Sequence, residues 1–134
     1  MSTATGHPVA VGVQAMDDQH GILMETLNEL RQQLARGHAS ARLAAQMSRL
    51  VEFAGMHFDC EERLLRRHGY PELEGHSLAH QDLLEKIRYT VDRADRGDDA
   101  ELQRSFAFLR SRYMDHVSTL DRRYAEWLNA RGVY

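Results

Sequence analysis

The sequence predicts an all-α protein: an antiparallel up-down-up-down four-helix bundle built from 134 residues. Three observations carry that expectation. Apolar residues recur at alternating steps of four and three through four long blocks, the period of a helix packed in a bundle. Short breaks separate the blocks, at Gly37, at Gly69-Tyr70-Pro71 and at Gly97-Asp98-Asp99, and such short connections make consecutive helices antiparallel neighbours. Strand-type alternation is hard to find, and Gly and Pro are scarce at nine and two.

Residues 1–12 lack periodicity and read as an N-terminal arm, with the bundle occupying 13–134. Asp17 or Asp18 can cap the first helix, whose stripe is Met16, His20, Leu23, Leu27, Leu30 and Leu34, and Gly37 ends it after Arg36. Ser40 can cap the second, with the stripe Leu43, Met47, Leu50, Ala54, His57, Glu61 and Leu64, running to His68. Pro71 suits the first position of the third, whose stripe is His76, His80, Leu83, Ile87, Val91 and Ala94. An aspartate of the Gly97 break caps the fourth, with the stripe Leu102, Phe106, Leu109, Tyr113, His116, Leu120 and Trp127, before Gly132 stops it.

Composition narrows the function. The formal charge of −3 gives no electrostatic case for nucleic acid. No apolar run approaches the ~20 residues of a membrane span. Residues 1–8 carry no Lys or Arg and do not read as a secretory signal. The single cysteine, Cys60, forms no internal disulfide and fits a reducing compartment, so the expected location is cytoplasmic.

The seams contain residues that a leucine core excludes. His20, His57, Glu61, His76, His80 and His116 stand within the stripes, and Asp121 follows. A buried imidazole needs partners, and a buried unpaired charge is very costly. His20 and the pair His76/His80 lie early in odd-numbered helices, whereas His57/Glu61 and His116/Asp121 lie late in even-numbered ones. Antiparallel threading therefore brings all seven groups to one layer at one end. His7, His38 and His68 fall outside it, and Glu62 and Arg63-Arg66-Arg67 read as solvated.

Imidazole and carboxylate are ligands for iron, manganese and zinc, and seven such groups suit two adjacent metals. Glu61 and Asp121 are the acids able to bridge them. Five histidines then divide three and two; with two bridging carboxylates and a water-derived oxygen, one metal reaches six donors and the other five, leaving an open position. His116 and Asp121 are five apart, which an ideal α-helix turns roughly 140° past a full circle. The aspartate either reaches in from the side of the stripe or is brought round by a π-bulge.

The motifs Val11-Gly-Val-Gln-Ala-Met-Asp-Asp-Gln-His20, His57-Phe-Asp-Cys-Glu61-Glu62, Gly69-Tyr-Pro71, His76-Ser-Leu-Ala-His80 and His116-Val-Ser-Thr-Leu-Asp121 together resemble the hemerythrin family, in particular its single-domain bacterial members. The resemblance spans Val11 to Tyr124. It implies a bundle that binds molecular oxygen reversibly at a non-haem di-iron centre with a bridging oxo or hydroxo group. It also implies that His76, His80 and His116 hold one iron, that His20 and His57 hold the open one, and that Glu61 and Asp121 bridge. Leu23, Phe58, Tyr113 and Val117 match the positions lining the family's oxygen pocket. The chain departs from many bacterial members at Arg112 and Tyr113, where a tryptophan-leucine pair stands, and at Pro8-Val9-Ala10, where an aromatic residue is often found.

Storage, delivery and sensing of oxygen all fit this expectation, and delivery or signalling would use a separate protein partner. The alternative is a di-iron enzyme acting on peroxide, nitric oxide or ferrous iron at the same centre. The histidine-rich ligand set points away from the carboxylate-rich oxidases.

Overall fold

A computed structural model describes residues 10–36 and 41–134. The helices are α1 (Gln14–Ala35), α2 (Ala41–Arg67), α3 (Leu73–Asp95), α4 (Asp99–His116) and α5 (Arg122–Asn129), with a π-helical segment at Val117–Asp121. Right-handed backbone angles continue through that segment, so α4, the π segment and α5 form one rod. Four rods result, and among the described residues there is no strand. Each rod packs on the next, and α4 closes back on α1. Asp82 pairs with Arg112 while Tyr89 pairs with Glu101, so numbers rise along α3 as they fall along α4. The fold class predicted from the stripes is the one observed.

The stripes of α1 and most of α2 are buried as spaced. Leu65 rather than Leu64 is the fully buried leucine at the end of α2, and Thr90 rather than Val91 completes the inner face of α3. Thr90 is accommodated because its hydroxyl bonds Lys86 C=O at 2.9 Å.

Several helix-end expectations change. Asp17 does not cap α1; Val13 occupies that position without a side-chain bond. Asp17 sits in the first turn and reaches back to accept from the Val11 and Gly12 N–H groups at 2.8 and 3.2 Å, pinning the entering chain. Pro71 lies before the third helix, which starts at Leu73. Asp98 caps α4 as expected, accepting from Glu101 N–H at 3.3 Å. Gly69 has φ +71, and the paired bonds Tyr70 N–H to Leu65 C=O (2.9 Å) and Gly69 N–H to Arg66 C=O (3.1 Å) close α2. A left-handed residue is required there, which is why glycine stands at the stop. Gly37, His38 and Ser40, like Met1–Val9 with His7, lie outside the described residues.

The fourth rod holds the main departure. Its inner face reads Leu102, Phe106, Leu109, Tyr113 and His116 as spaced, then continues with Val117, Asp121, Tyr124, Ala125 and Leu128. Leu120 and Trp127, expected inside, are only half-buried. The π segment inserts one residue into a turn and moves the inner face on by one position. Asp115 C=O accepts from the Ser118 and Thr119 hydroxyls at 3.3 and 2.6 Å. Two neighbouring hydroxyls thus satisfy backbone where the regular ladder is disturbed.

Candidate metal centre

Local structure aims each group inward. His57 and Glu61 are one turn apart on α2, and His76 and His80 are one turn apart on α3. His20 comes from α1 and His116 from the end of α4. The π segment solves the five-residue spacing: a wide turn brings residue i+5 over residue i, so Asp121 faces the layer with an exposure of 0 %. Both carboxylates and all five histidines are buried, His116 least so at 6 %.

Every one of the five rings presents Nε2 to the acids. His76 Nε2 is 2.8 Å from Glu61 Oε1 and 3.0 Å from Asp121 Oδ1. His80 Nε2 is 2.9 Å from Glu61 Oε1, and His116 Nε2 is 3.0 Å from Asp121 Oδ1. On the other side, His20 Nε2 is 3.3 Å from Glu61 Oε2 and 3.1 Å from Asp121 Oδ2, and His57 Nε2 is 3.5 Å from Glu61 Oε2. Glu61 thus turns Oε1 toward His76 and His80 and Oε2 toward His20 and His57, and Asp121 turns Oδ1 toward His76 and His116 and Oδ2 toward His20. Donor atoms of Glu61, His76, His80, His116 and Asp121 lie within 4.8 Å of one another, as do those of His20, His57 and Glu61.

Much of this proximity is not hydrogen bonding. Both Asp121 oxygens, His116 Nε2 and His57 Nε2 are buried without an aligned partner. Lone pairs that crowd together without facing one another cost free energy unless a cation satisfies them. The donor set fits that demand: imidazole nitrogen with hard carboxylate oxygen suits iron or manganese.

The charge balance agrees. Burial alone would lower His20 and His76, but the Asp121 and Glu61 carboxylates beside them outweigh it and raise each to about 9. Burial dominates at His57, which falls to about 4. Burial would raise Glu61 and Asp121; the surrounding imidazoles instead hold both well below the usual carboxylate range. Without a metal, two protonated histidines offset two carboxylates, and a divalent ion can take the place of those protons.

A further ring of residues orients the rings. Gln19 Oε1 is 2.7 Å from His57 Nδ1, and Glu62 Oε2 is 2.7 Å from His80 Nδ1. Each holds its histidine with Nε2 as the inward lone pair. Glu62 was expected to face solvent; its side chain is 21 % exposed and also accepts from Ser77 Oγ at 3.0 Å. Phe58 stacks on His80 with centroids 4.2 Å apart. The Tyr124 hydroxyl donates to Glu61 Oε2 at 2.6 Å from a fully buried ring. Sequence reasoning missed Gln19, Glu62 and Tyr124 as supports. Tyr124 had a signal, since it follows Asp121 by three and shares its face. Cys60 is half-buried, its Sγ 3.5 Å from Met56 Sδ, and His68 is not part of the cluster.

Above the layer lies an apolar cavity, walled by Leu23, Leu27, Phe58, Leu83, Leu109 and Tyr113 among others, where the centre of a water-sized molecule has about 20 Å³ to move. That is room for one very small molecule. Leu23, Phe58 and Tyr113 line it; Val117 is buried in the π segment but does not.

Comparison with known proteins agrees with the donor chemistry. Residues 11–128 match the family model described as the hemerythrin HHE cation binding domain. The chain is 25 % identical over 130 residues to a bacteriohemerythrin of Methylococcus capsulatus, covering 97 % of this chain and 98 % of that protein. It is 26 % identical over 120 residues to one of Clostridium acetobutylicum, covering 87 % and 93 %. The crystal structure of a wild-type hemerythrin superposes with a TM-score of 0.74 at 24 % identity, over 85 % of this chain and 87 % of that one, and shows the same fold.

Proposed function

The chain belongs to the hemerythrin family, and from that premise we propose that it binds molecular oxygen reversibly at two non-haem irons. The observation that supports this best is the division of the two buried carboxylates: Glu61 Oε1 and Asp121 Oδ1 lie among His76, His80 and His116, and Glu61 Oε2 and Asp121 Oδ2 lie by His20, with His57 beside Glu61 Oε2. In this reading Glu61 and Asp121 would hold both irons, His76, His80 and His116 would hold one, and His20 and His57 the other, which would keep a position for a ligand. Bound there, the iron pair supplies the electrons that a diatomic ligand accepts.

The chain's own residues do the rest. Gln19 and Glu62 fix the tautomers of His57 and His80. Tyr124 holds Glu61 Oε2. Phe58 braces His80 and, with Leu23, walls the apolar cavity, keeping water from the free position. The test is an optical titration of protein loaded with ferrous iron under anaerobic conditions. A spectrum that appears with oxygen and reverses on degassing is expected. A band that fails to reverse, with steady consumption of added reductant, would instead show turnover.

The enzymatic reading has one observation in its favour. Tyr113, whose ring lines the apolar cavity, carries a buried hydroxyl with no hydrogen-bond partner among the described residues. An oxygen-linked role in storage, delivery or sensing remains the proposal, and among the described residues no helix is long and apolar enough to cross a membrane.

A further inference from the structure

Tyr113 carries a hydroxyl that the protein does not satisfy. The side chain is 4 % exposed, and its Oη is buried with no hydrogen-bond partner. Tyr124, the other tyrosine deep in this region, is fully bonded through Glu61. The Tyr113 ring lies edge-on to His20, with centroids 6.4 Å apart. It lines the apolar cavity with Leu23 and Phe58. Burial, with the Asp121 and Glu61 charges adding to it, pushes its ionisation well above the ordinary phenol range, so it stays a neutral donor. A buried orphan donor is costly and calls for an acceptor that arrives from outside the chain.

We propose that the Tyr113 hydroxyl donates a hydrogen bond to the ligand at the free metal position beside His20 and His57, selecting small ligands that carry or develop negative charge. The inference rests on the two-metal reading above and deepens it. A leucine at this position would offer bulk but no donor. Tyrosine adds a donor on the residue whose ring both lines the cavity and meets His20, and none of the other cavity walls carries a hydroxyl. Ligands that stay neutral gain little from it, so the residue sets which ligands remain.

The experiment compares wild type with Tyr113→Phe, which keeps the ring and removes only the hydroxyl. Both proteins are loaded with iron, oxidised and titrated with azide, with the infrared stretch of bound azide recorded in H2O and D2O. The expected result is azide affinity about tenfold or more weaker in the variant, as for a lost hydrogen bond to a charged group. The deuterium shift of the azide stretch is expected in wild type and absent in the variant. Metal-stripped Tyr113→Phe is expected to melt no lower than stripped wild type, because no protein partner is lost. Equal azide affinities, or an unchanged deuterium shift, overturn the inference and leave the two-metal reading standing. A lower melting temperature of the stripped variant overturns it too, by showing that the hydroxyl already serves the protein. Wild type that takes up iron singly and binds no azide overturns the two-metal reading and this one together.

Discussion

His80 shows what a single side chain has to satisfy in this layer. Its Nε2 is 2.9 Å from Glu61, its Nδ1 is 2.7 Å from Glu62, and Phe58 lies flat against its ring. Replacing Glu62 by Ala frees the ring to turn and to change tautomer, so iron affinity should fall about 10–100-fold with the fold intact. Competition with a chelator measures it; an unchanged affinity would make Glu62 a surface group. Alanine at His76 or His116 should cost more, since a donor is lost outright, whereas alanine at His68 should cost nothing. Tyr113 and Tyr124, both deep in the metal layer's surroundings, should behave oppositely. Tyr124→Phe deprives a buried carboxylate of a 2.6 Å donor and should lower the stability of the metal-stripped protein by about 1.5–3 kcal/mol, measured by denaturant unfolding. The seven clustered groups were legible in the sequence because helical spacing and antiparallel threading both act on position. Gln19 and Glu62 were not. Whether a residue beside a ligand turns to solvent or to a neighbouring helix depends on interhelical geometry, which spacing along one helix does not contain.

At the scale of the element, the π segment decides the site. Four stripes could be read from the sequence because a straight α-helix repeats faithfully, and the fourth held as far as His116. Beyond it the regular period pointed to Leu120 and Trp127, whereas the structure buries Asp121, Tyr124 and Leu128. One inserted residue does this, and the sequence had shown the strain as a five-residue gap without saying how it was relieved. Deleting the exposed Ser118 should convert the segment to ordinary α-helix with the histidine and aspartate four positions apart, still on one face. The bundle should keep its helicity and its capacity for iron. Deleting the exposed Ser111 instead turns Tyr113 and His116 by roughly 100° and should abolish iron retention. Circular dichroism with iron analysis on both deletions separates the cases; loss of iron in both would show that the wide turn itself is needed.

For the whole molecule, the metal layer links stability to pH. In metal-stripped protein His20 and His76 rise from 6.5 to about 9. Their contribution is therefore fully present below about pH 6.5 and is lost as pH climbs through 9. His57 falls to about 4, so the unfolded chain binds a proton there first and stability drops as pH falls from 6.5 toward 4. The depressed carboxylates add to the acid loss. The stripped protein should thus melt highest near pH 6.5 and progressively lower toward pH 9, while iron, in place of the histidine protons, should remove the alkaline decline. Thermal melts of stripped and loaded protein between pH 5 and 9 check this; parallel curves would contradict it.

The central claim is that seven converging side chains hold a bridged pair of irons. Iron and protein determined on the same reconstituted sample, together with the magnetic susceptibility of its oxidised form, test it most directly. The account predicts two irons per chain, coupled through Glu61 and Asp121, with Glu61→Ala and Asp121→Ala each disrupting the pair rather than one metal. One iron per chain, or two that behave as independent ions, would contradict it.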